Sequence, residues 1–263
     1  MRLARALSLA GINSRRKCEA YIRAGEVRVN GEVVRDLGRR VDPEQDEIFF
    51  RGRPVYFPAV SSSAGPSRLY GGASSGGEKF VYFILHKPAG FTTTASDPHA
   101  KKTVYDLLPR TLIRGSQRIQ PSQTRVFPVG RLEKDSTGLL LFTNDGALAF
   151  RLTHPRFGVL KRYEVRLNRS FNPADRAGLL AGVRLEEGIA KVDSLASLSQ
   201  RVLCLELREG KKREVRRIFE KLGYRVLDLC RTAFGPLKLG NLPPARGRFL
   251  TPAEIKPLKE MKK

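Results

Sequence analysis

Between residues 58 and 78 the chain reads PAVSSSAGPSRLYGGASSGGE, a run of Ser, Gly, Pro and Ala in which no hydrophobic period survives. Such a run lacks the apolar side chains that would offset the entropy of fixing it, so it predicts a flexible linker. A chain interrupted in this way does not close around a single core. It divides into a small body over 1–57, the linker over 58–78, a larger body over 79–258 and a basic tail over 259–263. With 263 residues, 41% of them hydrophobic, there is material for two cores. No internal repeat is visible.

In the small body, Leu3, Leu7 and Ala10 fall at helical spacing, Gly11 stops that helix, and Ser14 can cap a second one carrying Ala20, Tyr21 and Ile22. VRV-Asn30-Gly31-EVV then predicts two short strands about a type I′ turn, and Ile48, Phe49 and Phe50 a further strand. The larger body is rich in strands, expected at 80–85, 126–129, 138–142, 163–167, 202–207 and 224–229, with short helices between them. Its best helix spans 213–222, where Val215, Ile218, Phe219 and Leu222 make one apolar face. Strands outnumber helices without alternating regularly with them. That favours α+β with a mainly antiparallel sheet over a doubly wound fold.

Charge and cysteine content narrow the function. With 49 Lys and Arg against 26 Asp and Glu, the formal charge is +23, so a polyanion is the default partner. Cys18, Cys204 and Cys230 are odd in number and far apart, and they never fall at metal-ligand spacing with His86, His99 or His154. All six are expected to be structural or incidental, with no structural zinc, in a reducing compartment such as the cytoplasm. No apolar run reaches the ~18 residues of a membrane helix. Residues 1–10 are basic with a short apolar stretch, as leader peptides are, but they run into patterned sequence without a cleavage-like gap and belong to the fold. Nothing in the pattern suggests an obligate dimer, so a monomer is expected.

Arg15, Arg16 and Lys17 open the second helix directly after its cap. Cations there oppose the helix dipole, at a few tenths of a kcal/mol each. A phosphate would offset that cost by meeting three cationic side chains and the positive helix end together. The residues that carry this feature, RLARALSLAGINSRRKCEAYIRAGEVRVNGEVV, resemble the RNA-binding module named after small-subunit ribosomal protein S-four, over about 2–48. Gly11, Ser14, Arg15, Arg16, Gly25, Val27, Asn30 and Gly31 follow its pattern in order. The resemblance implies that Arg15, Arg16, Lys17 and Asn30 contact RNA.

In the larger body, VGRLEKDSTGLLLFTNDG (129–146) sets charged and hydroxyl residues directly before an apolar strand and ends in an Asn-Asp-Gly turn. An acid there is partly buried and calls for a cation, from Arg131 and Lys134 nearby or from the distant block EGKKREVRR (209–217). An edge turn bearing surface charges is the competing reading of the same pattern.

FILHKPAGFTTT, VGRLEKDSTGLLLFTNDGALAFRLTHP, KRYEV and EGKKREVRRIFEKLGYRVLDLCRTAFGPLKLGNLP, taken in order, resemble the catalytic domain of the ribosomal-RNA pseudouridine synthases of the RsuA/RluB branch, over about 80–255. The resemblance implies a specific chemistry on ribosomal RNA or a pre-ribosomal particle. A uridine is flipped out, its glycosidic bond is broken, and the base is rotated and rejoined to the ribose through carbon 5, with no cofactor. It also implies a catalytic set. Glu133 stands at the essential carboxylate, Tyr163 at the tyrosine that lies against the base, and Arg216 at the basic residue paired with the carboxylate, with Arg131 beside them. Lys211, Lys212, Arg213 and Arg217 would meet phosphates, and Lys87, Pro88 and Gly90 match the loop after the first strand, where His86 replaces the more usual Asn. The EGKKREVRRIFEKLG block resembles members acting on the large-subunit RNA.

One departure matters. The family motif is G-R-L-D; this chain reads Gly130-Arg131-Leu132-Glu133. An extra methylene moves the carboxylate oxygens by roughly 1–1.5 Å, enough to cost on the order of a hundredfold in rate. On that argument Glu133→Asp should raise activity. Asp135 could substitute only against the geometry of a strand or turn. A non-catalytic RNA-binding ribosome-assembly factor that has kept the fold is the alternative. A Glu133–Arg216 distance near 3 Å would mark an assembled site.

Overall fold

A computed structural model describes residues 1–10, 12–43, 45–55, 80–94, 101–112 and 126–261. The expected linker at 58–78, the helix stop at Gly11 and His99 lie outside the described residues. The chain separates into two compact units, Met1–Lys79 and Phe80–Lys263.

In the first unit, helices α1 (Leu3–Leu9) and α2 (Arg15–Arg23) pack on a small antiparallel sheet of β1 (Val27–Val29), β2 (Glu32–Val33), β3 (Ile48–Phe50) and β4 (Arg53–Pro54), in the order β2-β1-β3-β4. The expected cap is present: Ser14 Oγ accepts from Lys17 N at 3.4 Å. Helical and strand periods bring Leu3, Leu7, Cys18 and Ile22 against Val27 and Val29, while Arg28 between those valines faces out. The β1–β2 turn has φ of 51° at Asn30 and 84° at Gly31, the left-handed pair that a type I′ hairpin requires.

The second unit is built on β5 (Tyr82–Lys87), β6 (Phe127–Pro128), β7 (Thr137–Thr143), β8 (Lys161–Leu167), β9 (Val183–Leu185), β10 (Gly188–Ala190), β11 (Ser194–Ser197), β12 (Val202–Leu207), β13 (Val226–Phe234), β14 (Leu237–Lys238) and β15 (Gly247–Phe249). Its helices are α3 (Gly146–Thr153), α4 (Asp175–Ala181), α5 (Glu214–Lys221) and α6 (Pro252–Glu260). The main sheet runs β11-β12-β8-β13-β7-β5-β15, with β6 on β7 and β14 on β13, while β9 and β10 form a separate hairpin. Every pairing between these strands is antiparallel except β13 with β7, so the fold is α+β with a mainly antiparallel sheet.

The continuous apolar run of β7 is explained by burial on both faces. Leu139 and Leu141 join Tyr82, Ile84, Leu148 and Leu152 on one side, and Leu140 and Phe142 join Phe83, Leu85, Val104 and Leu132 on the other. A third cluster forms where Val215, Ile218 and Phe219 of α5 cover Val165, Leu203 and Leu205. The parallel join is close: a Cβ on Gly138, at φ 106°, would lie 2.3 Å from the Arg231 carbonyl oxygen. Only glycine fits there.

Several elements depart from expectation. The Asn-Asp-Gly turn is the start of α3, where Asp145 accepts from Ala147 N at 3.1 Å and Leu148 N at 2.9 Å. An Asp before Gly satisfies helix N-cap and turn equally well, and the buried Leu148 and Leu152 decide it. The strand expected at 224–229 runs Val226–Phe234, and α6 extends through Lys259 and Glu260, residues assigned above to the tail. No helix among the described residues is long and apolar enough to cross a membrane.

Candidate active site

The loop between β6 and β7 carries Glu133, and buried contacts fix it on either side. Leu132 is anchored in the core, its carbonyl accepting from Thr93 Oγ1 at 2.8 Å. Gly90 N donates to the Lys134 carbonyl at 2.8 Å, and Ser136 N donates to the Glu133 carbonyl at 3.1 Å. Beneath the loop lies Lys87, wholly buried, whose Nζ donates to the carbonyls of Pro88 (3.0 Å), Lys134 (3.1 Å) and Ser136 (2.6 Å). Burial pulls its ammonium down to about 8, against the opposing charges of Asp135 and Glu133. An RNA contact by Lys87, which its place in the matching loop implied, is corrected: its three donors are used on the backbone and none of it reaches solvent.

Across from the loop, α5 brings Arg216 to Glu133. Arg216 Nε donates to Glu133 Oε2 at 2.9 Å and Nη1 to the Val226 carbonyl at 2.9 Å, while Nη2 is buried without a hydrogen-bond partner. The Arg216 side chain is 9% exposed and that of Glu133 28%, so the arginine is largely covered while the carboxylate remains accessible to solvent. Arg213 Nη1 lies 3.6 Å from the same oxygen. The sequence thus brings Glu133 and Arg216 together at the spacing expected of an assembled site.

Tyr163 stands half-buried on β8, opposite Leu205 and Arg231, and packs against the cores under α5 and under the Glu133 loop. Arg131 is exposed on the loop.

The basic block divides. Lys211 Nζ pairs with Glu209 at 2.7 Å and Arg217 Nη1 with Glu187 at 2.7 Å, so both expected phosphate ligands are already engaged by acids of their own unit. Lys212 and Arg213 remain exposed. Asn30 is exposed and has a structural role in the turn. Its amide donates to Asp46 Oδ1 at 2.7 Å and accepts from Glu47 N at 2.8 Å, tying the hairpin turn to the chain before β3. Arg15 lies 3.6 Å from Glu19, one turn along α2, and Arg16 and Lys17 are exposed at the helix start.

Sequence reasoning missed Thr93 and the supporting role of Lys87. A lysine after a run of strand apolars was the only available signal. It also missed Glu214, which is buried beside Arg213, accepts from Lys211 N at 3.1 Å, and has its carboxyl pushed up by burial. Among the described residues, no group of three or more His, Cys, Asp and Glu side chains could hold a metal ion.

The chain is similar to known proteins along nearly its whole length. Residues 81–221 match the RNA pseudouridylate synthase family and residues 1–48 the S4 domain. The chain is 36% identical over 97% of its length to an uncharacterized RNA pseudouridine synthase of Aquifex aeolicus, covering 92% of that protein. It is 35% identical over 99% of its length to ribosomal large subunit pseudouridine synthase B of Bacillus subtilis, covering 96% of that protein. A crystal structure of a pseudouridylate synthase superposes with a TM-score of 0.64 at 27% identity, over 98% of this chain and 99% of that one. With a solvent-accessible carboxylate paired to an arginine and an RNA-binding module ahead of it, the chain belongs to the RNA pseudouridylate synthase family and is an RNA pseudouridine synthase.

Proposed function

We propose that the enzyme isomerises one uridine of large-subunit ribosomal RNA, with Glu133 as the nucleophilic carboxylate. The ion pair between Glu133 and Arg216 at 2.9 Å carries this reading, because it holds Oε2 of a part-exposed carboxylate and leaves Oε1 without a donor among the described residues. The substrate class rests on likeness to the Bacillus subtilis large-subunit enzyme.

The flipped uridine lies against the half-buried ring of Tyr163. Base–aromatic stacking contributes about 1–3 kcal/mol, which offsets the few kcal/mol of unstacking. A Glu133 oxygen adds to C1′ as the C1′–N1 bond breaks, and uracil leaves with the electron pair. The base turns, its C5 attacks C1′, and the carboxylate is displaced. The hydrogen on C5 departs as a proton and N1 takes one up, so the product is an isomer and nothing else is consumed. Arg131 lies on the same loop as the nucleophile, within reach of the bound nucleotide. Lys212, exposed in the catalytic unit, meets the flanking backbone, and Arg15, Arg16 and Lys17 of the S4 module bind RNA on their own unit. The enzyme acts as a monomer in the cytoplasm, a setting that suits three cysteines forming no disulfide.

Incubation with unmodified large-subunit RNA is expected to create one carbodiimide-dependent reverse-transcription stop at a single uridine. No stop on that RNA, with one on small-subunit RNA, would move the substrate assignment. In the S4 module, replacing Arg15 and Arg16 together by Ala is expected to lower the slope of log affinity against log salt by about 0.7 for each lost phosphate contact. An unchanged slope removes those residues from the interface.

A further inference from the structure

We propose that Arg213 is a positioning residue: together with Arg216 it fixes one oxygen of Glu133 so that the other is presented to the ribose. This rests on Glu133 being the nucleophile.

Both guanidinium groups address the same atom. Oε2 lies 2.9 Å from Arg216 Nε and 3.6 Å from Arg213 Nη1, and no described residue donates to Oε1. A glutamate has one more rotatable bond than an aspartate. A single hydrogen bond leaves its carboxylate free to swing about the Nε–Oε2 contact, whereas a second cation from another direction restricts that swing and sets where Oε1 points. Among the described residues, Arg213 is the second cation placed to restrict it.

The backbone around Arg213 is built for that placement. Arg213 caps α5 at φ 53° and ψ 27°, in the left-handed region that arginine seldom adopts. Such a conformation persists only where its surroundings impose it. Here Glu214 anchors the turn through Lys211 N, and the turn delivers residue 213 over the helix start toward the β6–β7 loop. Its neighbours differ: Lys211 is held by Glu209 and Arg217 by Glu187, while among the described residues the acid beside Arg213 is Glu133. The Arg213 side chain is 47% exposed, so water weakens its contact in the free enzyme. RNA lying over the site excludes that water and strengthens the contact at the moment of reaction.

The test is a double-mutant cycle read by single-turnover tritium release from RNA carrying [5-3H]uridine, for wild type, Arg213→Asn, Glu133→Asp and the double variant. Asn tolerates the left-handed backbone and removes the charge. Arg213→Asn is expected to slow the rate at saturating RNA by about thirtyfold in the glutamate enzyme, with RNA affinity changed less than about threefold. In the Glu133→Asp enzyme, whose shorter carboxylate falls out of reach of Arg213, the same change is expected to cost less than about threefold. Arg213→Lys, which keeps the charge, restores part of the rate. Equal losses in both backgrounds, or a loss confined to affinity, would overturn the proposal and leave Arg213 a phosphate contact. Glu133→Gln separates the two readings: if it stays active the nucleophile assignment falls, and if it is inactive while the cycle is additive only the role of Arg213 falls.

Discussion

Glu133→Gln lowers the rate of pseudouridine formation by at least about a thousandfold, the scale on which losing a nucleophile acts. Gln keeps the volume and one acceptor oxygen at the 2.9 Å position, so the loop has no steric reason to move. What disappears is the anionic oxygen that adds to C1′. The substitution also leaves the buried Arg216 without a counter-ion. Because the Glu133 side chain is 28% exposed, solvent takes up part of that cost, and about 1–2 kcal/mol of stability should be lost rather than the larger penalty of a fully buried pair. Tritium release measures the first effect and urea denaturation the second. An inactive variant with a wild-type denaturation midpoint within that margin assigns the loss to chemistry. Retained activity removes Glu133 from the reaction.

The structure also changes what Glu133→Asp should do. From sequence alone the extra methylene is a misplacement, and shortening it should help. In the folded protein the glutamate already sits within hydrogen-bonding distance of Arg216, on a loop whose carbonyls are fixed by Lys87, Thr93 and Gly90. A shorter side chain on the same backbone retracts the carboxylate by roughly 1–1.5 Å and weakens that bond. Glu133→Asp is therefore expected to lose about ten- to a hundredfold in rate. A gain would show that the loop relaxes freely.

The two helices and hairpin of the first unit were legible because their signals are local: Ser14 before a basic turn, Asn30-Gly31 between valines, and periods of 3.6 and 2 that agree with their neighbours. In the second unit β5, β6, β7, β8, β12 and β13 were legible for the same reason, and α5 through its apolar face, whereas β9, β10, β11, β14 and β15, at two to four residues each, are too short to show a period. The use of the charges was not. Lys87 and Lys212 look alike as letters, yet one lies wholly under the Glu133 loop and the other faces solvent. Asn30 and Arg217, expected to meet RNA, bind Asp46 and Glu187, each more than ten residues away along the chain. A side chain's partner is a property of the packed fold, and a basic composition hides which cations remain uncommitted.

Lys87→Met should separate stability from activity. Burial of Lys87 holds its ammonium at about 8 instead of the ordinary 10.5, so the fold keeps a charge that its surroundings disfavour. Met fills nearly the same volume without charge, but it leaves the carbonyls of Pro88, Lys134 and Ser136 without their donor. The two effects oppose each other, and the net stability loss is expected at about 1–3 kcal/mol. Activity should fall by about a hundredfold, because Lys134 and Ser136 flank Glu133 and a 1 Å drift of that loop misplaces the nucleophile. The wild-type enzyme offers a matching test by pH. A folded-state value below the unfolded one means that, from about pH 8 to 10.5, the unfolded chain holds the proton more often, so the contribution of Lys87 to stability rises with pH across that window. Lys161, also pulled down to about 8 by burial, adds the same sign to stability and serves the Val159 and Arg208 carbonyls away from the loop. Activity should move the other way, since a neutral amine has two hydrogens for three carbonyls. Between pH 7 and 9 the single-turnover rate is expected to drop while the urea midpoint holds or rises; a rate that stays level over that range would mean the loop does not depend on the charge beneath it.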